Sequence, residues 1–243
     1  MQSYVIVLIV FGSIFSLWGI LSLISLLIYL IPQLVVRILS PQNLYQKYGG
    51  GYVFVTGGNS GIGEAFAKKV AKMGFNLIIL GQDEERLNQV ESELKEINQN
   101  IETKVIKADL SGDPVQVTEQ IVQQLEGLDI SIIYFNAGYG VFDDVCNQTK
   151  RQLNQFHYNI VTHQHIFQAL YPKLTTRQLN KGKKRGAVLF TSSGLGIIST
   201  PGSVVYSATK AYMGHLGECL ACEANLLGLT HGHQLNKCQQ HLA

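Results

Sequence analysis

Charge is missing from the start of this chain: between Met1 and Val36 there is no Asp, Glu, Lys or Arg. That absence excludes a soluble N-terminal segment. With no basic residue ahead of the apolar run, and a run too long for the purpose, it also argues against a cleaved signal peptide. Cysteine is scarce. Cys146, Cys219, Cys222 and Cys238 are too few and too scattered for a disulfide scaffold, and fit a reducing compartment. Net charge is only +2, so nothing points to a polyanion, and nucleic acid is not an expected partner. The single basic cluster, Arg177, Lys181, Lys183, Lys184 and Arg185, reads as a solvated loop. Internal repeats and low-complexity tracts are absent. Cys219-x-x-Cys222, with His215 before it and His231, His233 and Cys238 after it, has the residue types of a zinc set. It falls within a predicted helix and lacks knuckle turns, so ordinary helix residues are expected, and no metal.

What is present begins with hydrophobicity. Mean hydropathy is +0.13, and the excess is local. Tyr4 to Ile31 is an uncharged stretch of 28 residues, long enough to cross a bilayer as a tilted helix. It reads as a transmembrane anchor. Arg37 and Lys47 follow the span while no basic side chain precedes it, which favours a cytosolic domain.

Residues 32–51 read as a linker, with Pro32, Pro41 and a triple glycine at 49–51. Beyond it, short apolar runs alternate with helix-like stretches. The runs are YVFVT (52–56), NLIIL (76–80), KVIK (104–107), ISIIYF (130–135) and AVLFT (187–191). Helical stretches are expected from Gly61, over Asp83–Asn98, over Asp113–Glu126, over a long segment ending near Leu174, and through Tyr206 to Leu227. This alternation predicts βαβ units: an α/β, doubly wound, Rossmann-like parallel sheet covered on both faces, spanning 52–227.

TGGNSGIG, Thr56 to Gly63, lies between the first strand and the first helix. Glycines there allow a tight turn and close backbone approach, and a helix N-terminus offers N–H groups to a pyrophosphate. At the other end of the domain, Tyr206 and Lys210 stand one helical turn apart on one face. Phenols ionise near pH 10, and a nearby ammonium favours the phenolate, so the pair has an acid–base use.

The wider pattern resembles the short-chain dehydrogenase/reductase family. It comprises TGxxxGxG at Thr56, Gly57, Gly61 and Gly63, then Asp109, then Asn136-Ala137-Gly138, Ser193 and Tyr206-x-x-x-Lys210. The resemblance implies a nicotinamide dinucleotide held by Thr56, Gly57, Asn59, Ser60, Gly61, Ile62 and Gly63, with Asp109 on the adenine amino group. Asn136, Ala137, Gly138, Tyr206 and Lys210 would be further cofactor contacts. Phe135 replaces the first Asn of the family's strand-four motif. Gly81 stands where NAD enzymes carry an acid, and Gln82 where NADP enzymes of this branch carry Arg. Resemblance to the branch favours NADP(H) over NAD(H). It also implies that Tyr206 is the proton donor in reduction, Lys210 holds the nicotinamide ribose, Ser193 orients the substrate carbonyl, and Asn159 completes a proton relay. Ser192 misses the usual spacing.

The apolar start followed by LYQKYGGGYVFVTGGNSGIG, with LFTSSGLG and YSATKAYM, is similar to a membrane-bound branch of the endoplasmic reticulum. That branch holds very-long-chain 3-oxoacyl-CoA reductases and 17β-hydroxysteroid dehydrogenases. The implied reaction is hydride transfer to a long-chain 3-oxoacyl-CoA or a 17-ketosteroid; retinoid or other lipid-alcohol dehydrogenases are the alternatives. A homodimer through the long helices is an expected assembly.

Residues 228–243 form an atypical tail with no apolar run, so no strand six, no following Pro-Gly loop and no substrate lid are expected, and strand five should be an exposed edge. Three readings stay open: a shortened reductase with weak or no activity, an active variant covered by a partner, or a non-catalytic nucleotide-binding scaffold.

Overall fold

The computed structural model describes residues 2–38, 43–144, 146–147, 149–178, 186–226 and 230–232. Two compact units divide the chain, Met1–Asn43 and Leu44–Ala243. The first consists of one helix, α1 (Gln2–Ile38), with Pro32 inside it. The expected linker boundary at Pro32 therefore falls within the helix. Tyr4–Pro32 is long and apolar enough to cross a membrane, with a mean hydropathy of 2.4 over its apolar window.

The second unit starts with α2 (Leu44–Tyr48), a short helix within the stretch expected to be linker. Then come β1 (Tyr52–Thr56), α3 (Gly61–Lys72), β2 (Asn76–Gly81), α4 (Glu84–Ile97), β3 (Thr103–Lys107), α5 (Pro114–Gln124) and β4 (Ile130–Phe135). After a loop follow α6 (Lys150–Phe156), a π-helical turn (His157–Val161), α7 (Thr162–Thr175), β5 (Ala187–Phe190), a 3-10 turn (Gly194–Gly196), α8 (Val204–Leu226) and β6 (Thr230–Gly232). The strands form one parallel sheet in the order β3-β2-β1-β4-β5-β6. Direction of winding reverses between β1 and β4, and a doubly wound sheet opens its ligand crevice at that point.

The runs that read as strands do so because both faces of the sheet are covered. Val53, Val55, Leu77 and Ile79 pack with Phe66 and Val70 of α3 and with Leu87, Val90 and Leu94 of α4. Phe54, Ile78, Leu80, Ile133 and Phe135 pack on the other face with Ile121 of α5, Ile166 and Leu170 of α7, and Met213 of α8. Each fully buried side chain of this kind stabilises the fold by roughly 1.5–3 kcal/mol. Helix starts are set by side chains: Asp83 accepts from Arg86 N (3.0 Å), and Asp113 accepts from Gln116 N (2.9 Å) with Pro114 next in line.

Two expectations are corrected. A sixth strand exists: Thr230, His231 and Gly232 pair with Ala187, Val188 and Leu189, so most of β5 is not an open edge. Its signal was invisible because pairing uses backbone groups, and THG carries no apolar run. The rest of the tail, residues 233–243, lies outside the described residues, as do 227–229. Arg177 is buried, not solvated. Its Nε and Nη2 donate to Asp129 (2.5 and 2.6 Å), and Nη1 and Nη2 donate to the carbonyls of Tyr48 (2.6 Å) and Gly50 (3.0 Å). A planar guanidinium satisfies carboxylate and carbonyls together, which fastens α2 to the sheet unit. Lys181, Lys183, Lys184 and Arg185 lie outside the described residues.

Candidate active site

The turn after β1 is built on close backbone approach. A Cβ at Gly63 would overlap Gly57 O and stand 2.6 Å from Asn136 Nδ2, so α3 can enter here only without a side chain. Thr56 ends β1 and is fully buried; its hydroxyl accepts from Asn136 N (3.0 Å) and Ala137 N (3.1 Å). Asn136 Nδ2 donates to Gly57 O (3.3 Å). The turn after β1 and the loop after β4 are thereby laced together. Ser60 stands at the N-cap of α3 but makes no side-chain cap bond. The first-turn N–H groups and the positive helix end are left to an external acceptor, which suits a phosphate.

At the outer edge, Gln82 Nε2 donates to Asp109 Oδ1 (2.5 Å). Burial pushes the Asp109 carboxyl up, but bonds from Ser111 N, the Ser111 hydroxyl and Gln82 together hold it below the ordinary value. Asn59 fills the space beside Gly81: a Cβ there would lie 2.6 Å from Asn59 Oδ1. An acid at position 81 would displace it. Arg86 Nε donates to Asn59 O (3.1 Å) while Nη2 pairs with Glu64 (2.7 Å).

Helix α8 carries Tyr206 and Lys210. Lys210 is 4% exposed, and its Nζ donates to Thr191 O (3.0 Å). Burial lowers its pKa from 10.5 to about 8. A Cβ at Gly138 would stand 2.9 Å from Lys210 Nζ and 3.3 Å from Asn159 Oδ1, so Gly138 is where those two side chains converge. Nζ lies 5.8 Å from the Tyr206 ring centre. The Tyr206 ring is half-buried beside Gly140 and Phe142 (ring centres 6.4 Å apart).

Asn159 is buried in the π-turn. Its Oδ1 accepts from Tyr139 N (3.0 Å), and its Nδ2 donates to Tyr139 O (2.9 Å) and Thr209 Oγ1 (3.1 Å). The π-turn places it one residue off the α-helical face, as single π-turns at functional positions do. Ser193 precedes the 3-10 turn, and its Oγ accepts from Leu195 N (3.2 Å). Ser192 differs: its Oγ donates to Lys210 O (2.7 Å), so it is committed to holding α8. Ile62 is partly buried against the β1–β2 face of the core, as a helix-packing residue.

Sequence reasoning missed three members of this cluster: Thr191, Thr209 and His163. Thr191 Oγ1 donates to Tyr134 OH (2.8 Å) or Asn136 Oδ1 (3.1 Å), and Thr209 Oγ1 donates to Tyr206 O (2.8 Å). His163 lies four residues after Asn159, and that helical spacing was the available signal. Cys219 and Cys222 sit exposed on α8, as expected of helix residues.

A family model described as short chain dehydrogenase matches residues 51–230. The very-long-chain 3-oxoacyl-CoA reductase of Mus musculus is 30% identical over 188 residues, covering 74% of this chain and 56% of that protein. The 7beta-hydroxysteroid dehydrogenase of Collinsella aerofaciens is 32% identical over 188 residues, covering 77% of this chain and 68% of that protein. A solved structure from work on 7beta-hydroxysteroid dehydrogenase stereoselectivity superposes with a TM-score of 0.67 at 31% identity, covering 75% of this chain and 67% of that one. The chain thus spans little more than half the length of the mouse relative.

Proposed function

The chain belongs to the short-chain dehydrogenase family, and from that premise we propose that it is a membrane-anchored oxidoreductase moving a hydride between NADP(H) and a lipid carbonyl. The reading rests foremost on Lys210. Its buried ammonium has three donors, and among the described residues one acceptor, Thr191 O. A buried cation with unmet donors is costly unless a ligand uses them, and ribose hydroxyls are acceptors of the right kind.

The dinucleotide's pyrophosphate would lie on the glycine turn, at the first turn of α3, with Thr56, Gly57, Asn59, Ser60, Gly61, Ile62 and Gly63 around it. Asp109 would accept from the adenine amino group, and Asn136, Ala137 and Gly138 would line the crevice. When bound, the nicotinamide supplies or takes the hydride. In reduction Tyr206 would give its proton to the substrate oxygen, Ser193 would donate to the same oxygen, and Lys210 would hold the nicotinamide ribose. Asn159 would hold Tyr139 and α8 in register beside them. NADP(H) is favoured because Asn59 occupies the space where an acid at 81 would meet a ribose 2′-OH, while the Arg86 guanidinium lies beside it.

A lipid substrate is supported by exposed apolar side chains on the segments that carry the site: Phe142, beside the Tyr206 ring, is 73% exposed, and Ile197 and Ile198, just after the Ser193 turn, are 65% each. Within that class, a long-chain 3-oxoacyl-CoA is the substrate we favour, with a 17-ketosteroid second. The helix Tyr4–Pro32 would anchor the enzyme in the endoplasmic reticulum membrane, with Arg37 and Lys47 keeping the sheet unit on the cytosolic side. The test is NADPH oxidation by the detergent-solubilised chain with a long-chain 3-oxoacyl-CoA. Turnover that disappears in Tyr206→Phe supports the enzyme. Dinucleotide binding with no turnover on any carbonyl supports a binding module instead.

A further inference from the structure

His163 belongs to no motif and is buried at the centre of the site. It lies on α7, edge-on to Phe135 at 5.4 Å. Its Nε2 is 3.1 Å from Thr56 Oγ1, and its Nδ1 is 3.2 Å from Asn159 O. Proton counting settles the roles. The Thr56 hydroxyl has two lone pairs and one proton. Both lone pairs are taken, by the N–H groups of Asn136 and Ala137. Only its proton is left for His163, so Nε2 must be the acceptor. The imidazole proton then sits on Nδ1, where it donates to the carbonyl of Asn159.

The consequence is a chain of buried and half-buried hydrogen bonds, joined through the backbone and side chain of Asn159. It runs from the Thr56 turn through His163 to Asn159, from the Asn159 amide to Thr209, and from the Thr209 hydroxyl to the carbonyl of Tyr206. We propose that His163, as the neutral Nδ1–H tautomer, is a positioning residue that ties the dinucleotide-binding turn to the helix carrying Tyr206 and Lys210.

A second proton on Nε2 would face a hydroxyl with no free lone pair. Burial, a nearby positive charge on Lys210 and the absence of a carboxylate partner all oppose it; the Asn159 carbonyl alone favours it, and the pKa falls to about 4. The neighbouring groups on β1, β4 and the π-turn, Thr56, Phe135 and Asn159, are uncharged, and among the described residues Lys210 of α8 is the one charged group acting on the ring.

Two measurements test this. The first needs no cofactor: histidine 15N/13C NMR of the full chain in detergent micelles, with the His163 signal assigned by its loss in His163→Gln. The expected result is an Nδ1–H imidazole that does not titrate between pH 5.5 and 8. An Nε2–H tautomer, or titration near the ordinary value of about 6.5, would overturn the proposal. The second is NADPH affinity, and it rests on the dinucleotide reading above. His163→Phe keeps the ring volume but leaves the Thr56 hydroxyl proton without its acceptor and removes the side-chain bond to the Asn159 carbonyl, and should weaken binding roughly tenfold or more. His163→Gln can place an amide oxygen where Nε2 stands, and should stay within about threefold of the parent. Equal affinity in all three proteins would also overturn the proposal. A parent chain that binds no dinucleotide would sink the functional reading instead, and the tautomer measurement would then decide this one.

Discussion

The two ends of the crevice are built differently. At the nucleotide end, the turn after β1 and the loop after β4 are joined by backbone N–H groups on the Thr56 hydroxyl, by Asn136 on Gly57, and by a glycine contact that admits no Cβ. At the substrate end, Phe142, Ile197 and Ile198 stand in solvent, and Ser193 makes a single local bond to its own turn. The first is specified by backbone geometry, where one atom too many is a clash. The second is specified by apolar surface, which tolerates change in shape but not in polarity. On the proposed reading, the first would hold the cofactor rigidly and the second would leave the substrate face free to vary.

The sharpest way to break that contrast is at Lys210 of α8, buried against Gly138 at a cost. Lys210→Met should lower turnover at least ~100-fold. It should also raise stability, by on the order of 1–3 kcal/mol, because a desolvated ammonium with one acceptor is removed. Steady-state rates beside thermal melts would show both, and a stability loss would contradict the account. Next in size, Gly63→Ala should cost about 1–3 kcal/mol and weaken NADPH binding correspondingly, since its Cβ meets Gly57 O and Asn136. Denaturant melts and a fluorescence titration would measure it.

A pH profile gives a smaller effect of defined sign. Burial lowers the Lys210 pKa to about 8, so the ammonium is lost as pH rises through that value. Carbonyl reduction should fall roughly tenfold for each pH unit beyond it. Stability moves the other way. Between about 8 and 10.5 the unfolded chain holds a proton that the folded chain has released, so stability gains from this group as pH rises across that window. At the substrate end the smallest change is expected. Phe142→Ser with Ile198→Ser should leave stability within about 0.5 kcal/mol, as surface substitutions do, while raising KM severalfold for a long acyl chain and little for a short ketone.

The strands were legible because apolar runs covered on both faces have no other common reading: YVFVT and ISIIYF are β1 and β4 to the residue. The positions of the glycine turn and the Tyr206–Lys210 pair were legible because the first follows a strand-like run and opens a helix, and the second has one-turn helical spacing; the structure has them at the β1–α3 junction and on α8. What was hidden depended on contacts distant in sequence. Arg177 looked like part of a basic loop until Asp129, Tyr48 and Gly50 met its guanidinium. β6 had no side-chain signature, and α2 hid among glycines and a proline. His163 was one of three histidines in FHYNIVTHQHIF, and only the helical face that points at Thr56 separates it from His157, which is exposed.

The central claim is that Tyr206 and Lys210 serve hydride transfer to a lipid carbonyl. Its most direct test is to incubate the solubilised chain with NADPH deuterated at the transferring carbon and a long-chain 3-oxoacyl-CoA, then read the product by mass spectrometry. The account predicts one deuterium on the new carbinol carbon with the parent chain and none with Tyr206→Phe. Tight NADPH binding with no deuterium transferred by the parent, or equal labelling by the Tyr206→Phe chain, would contradict it.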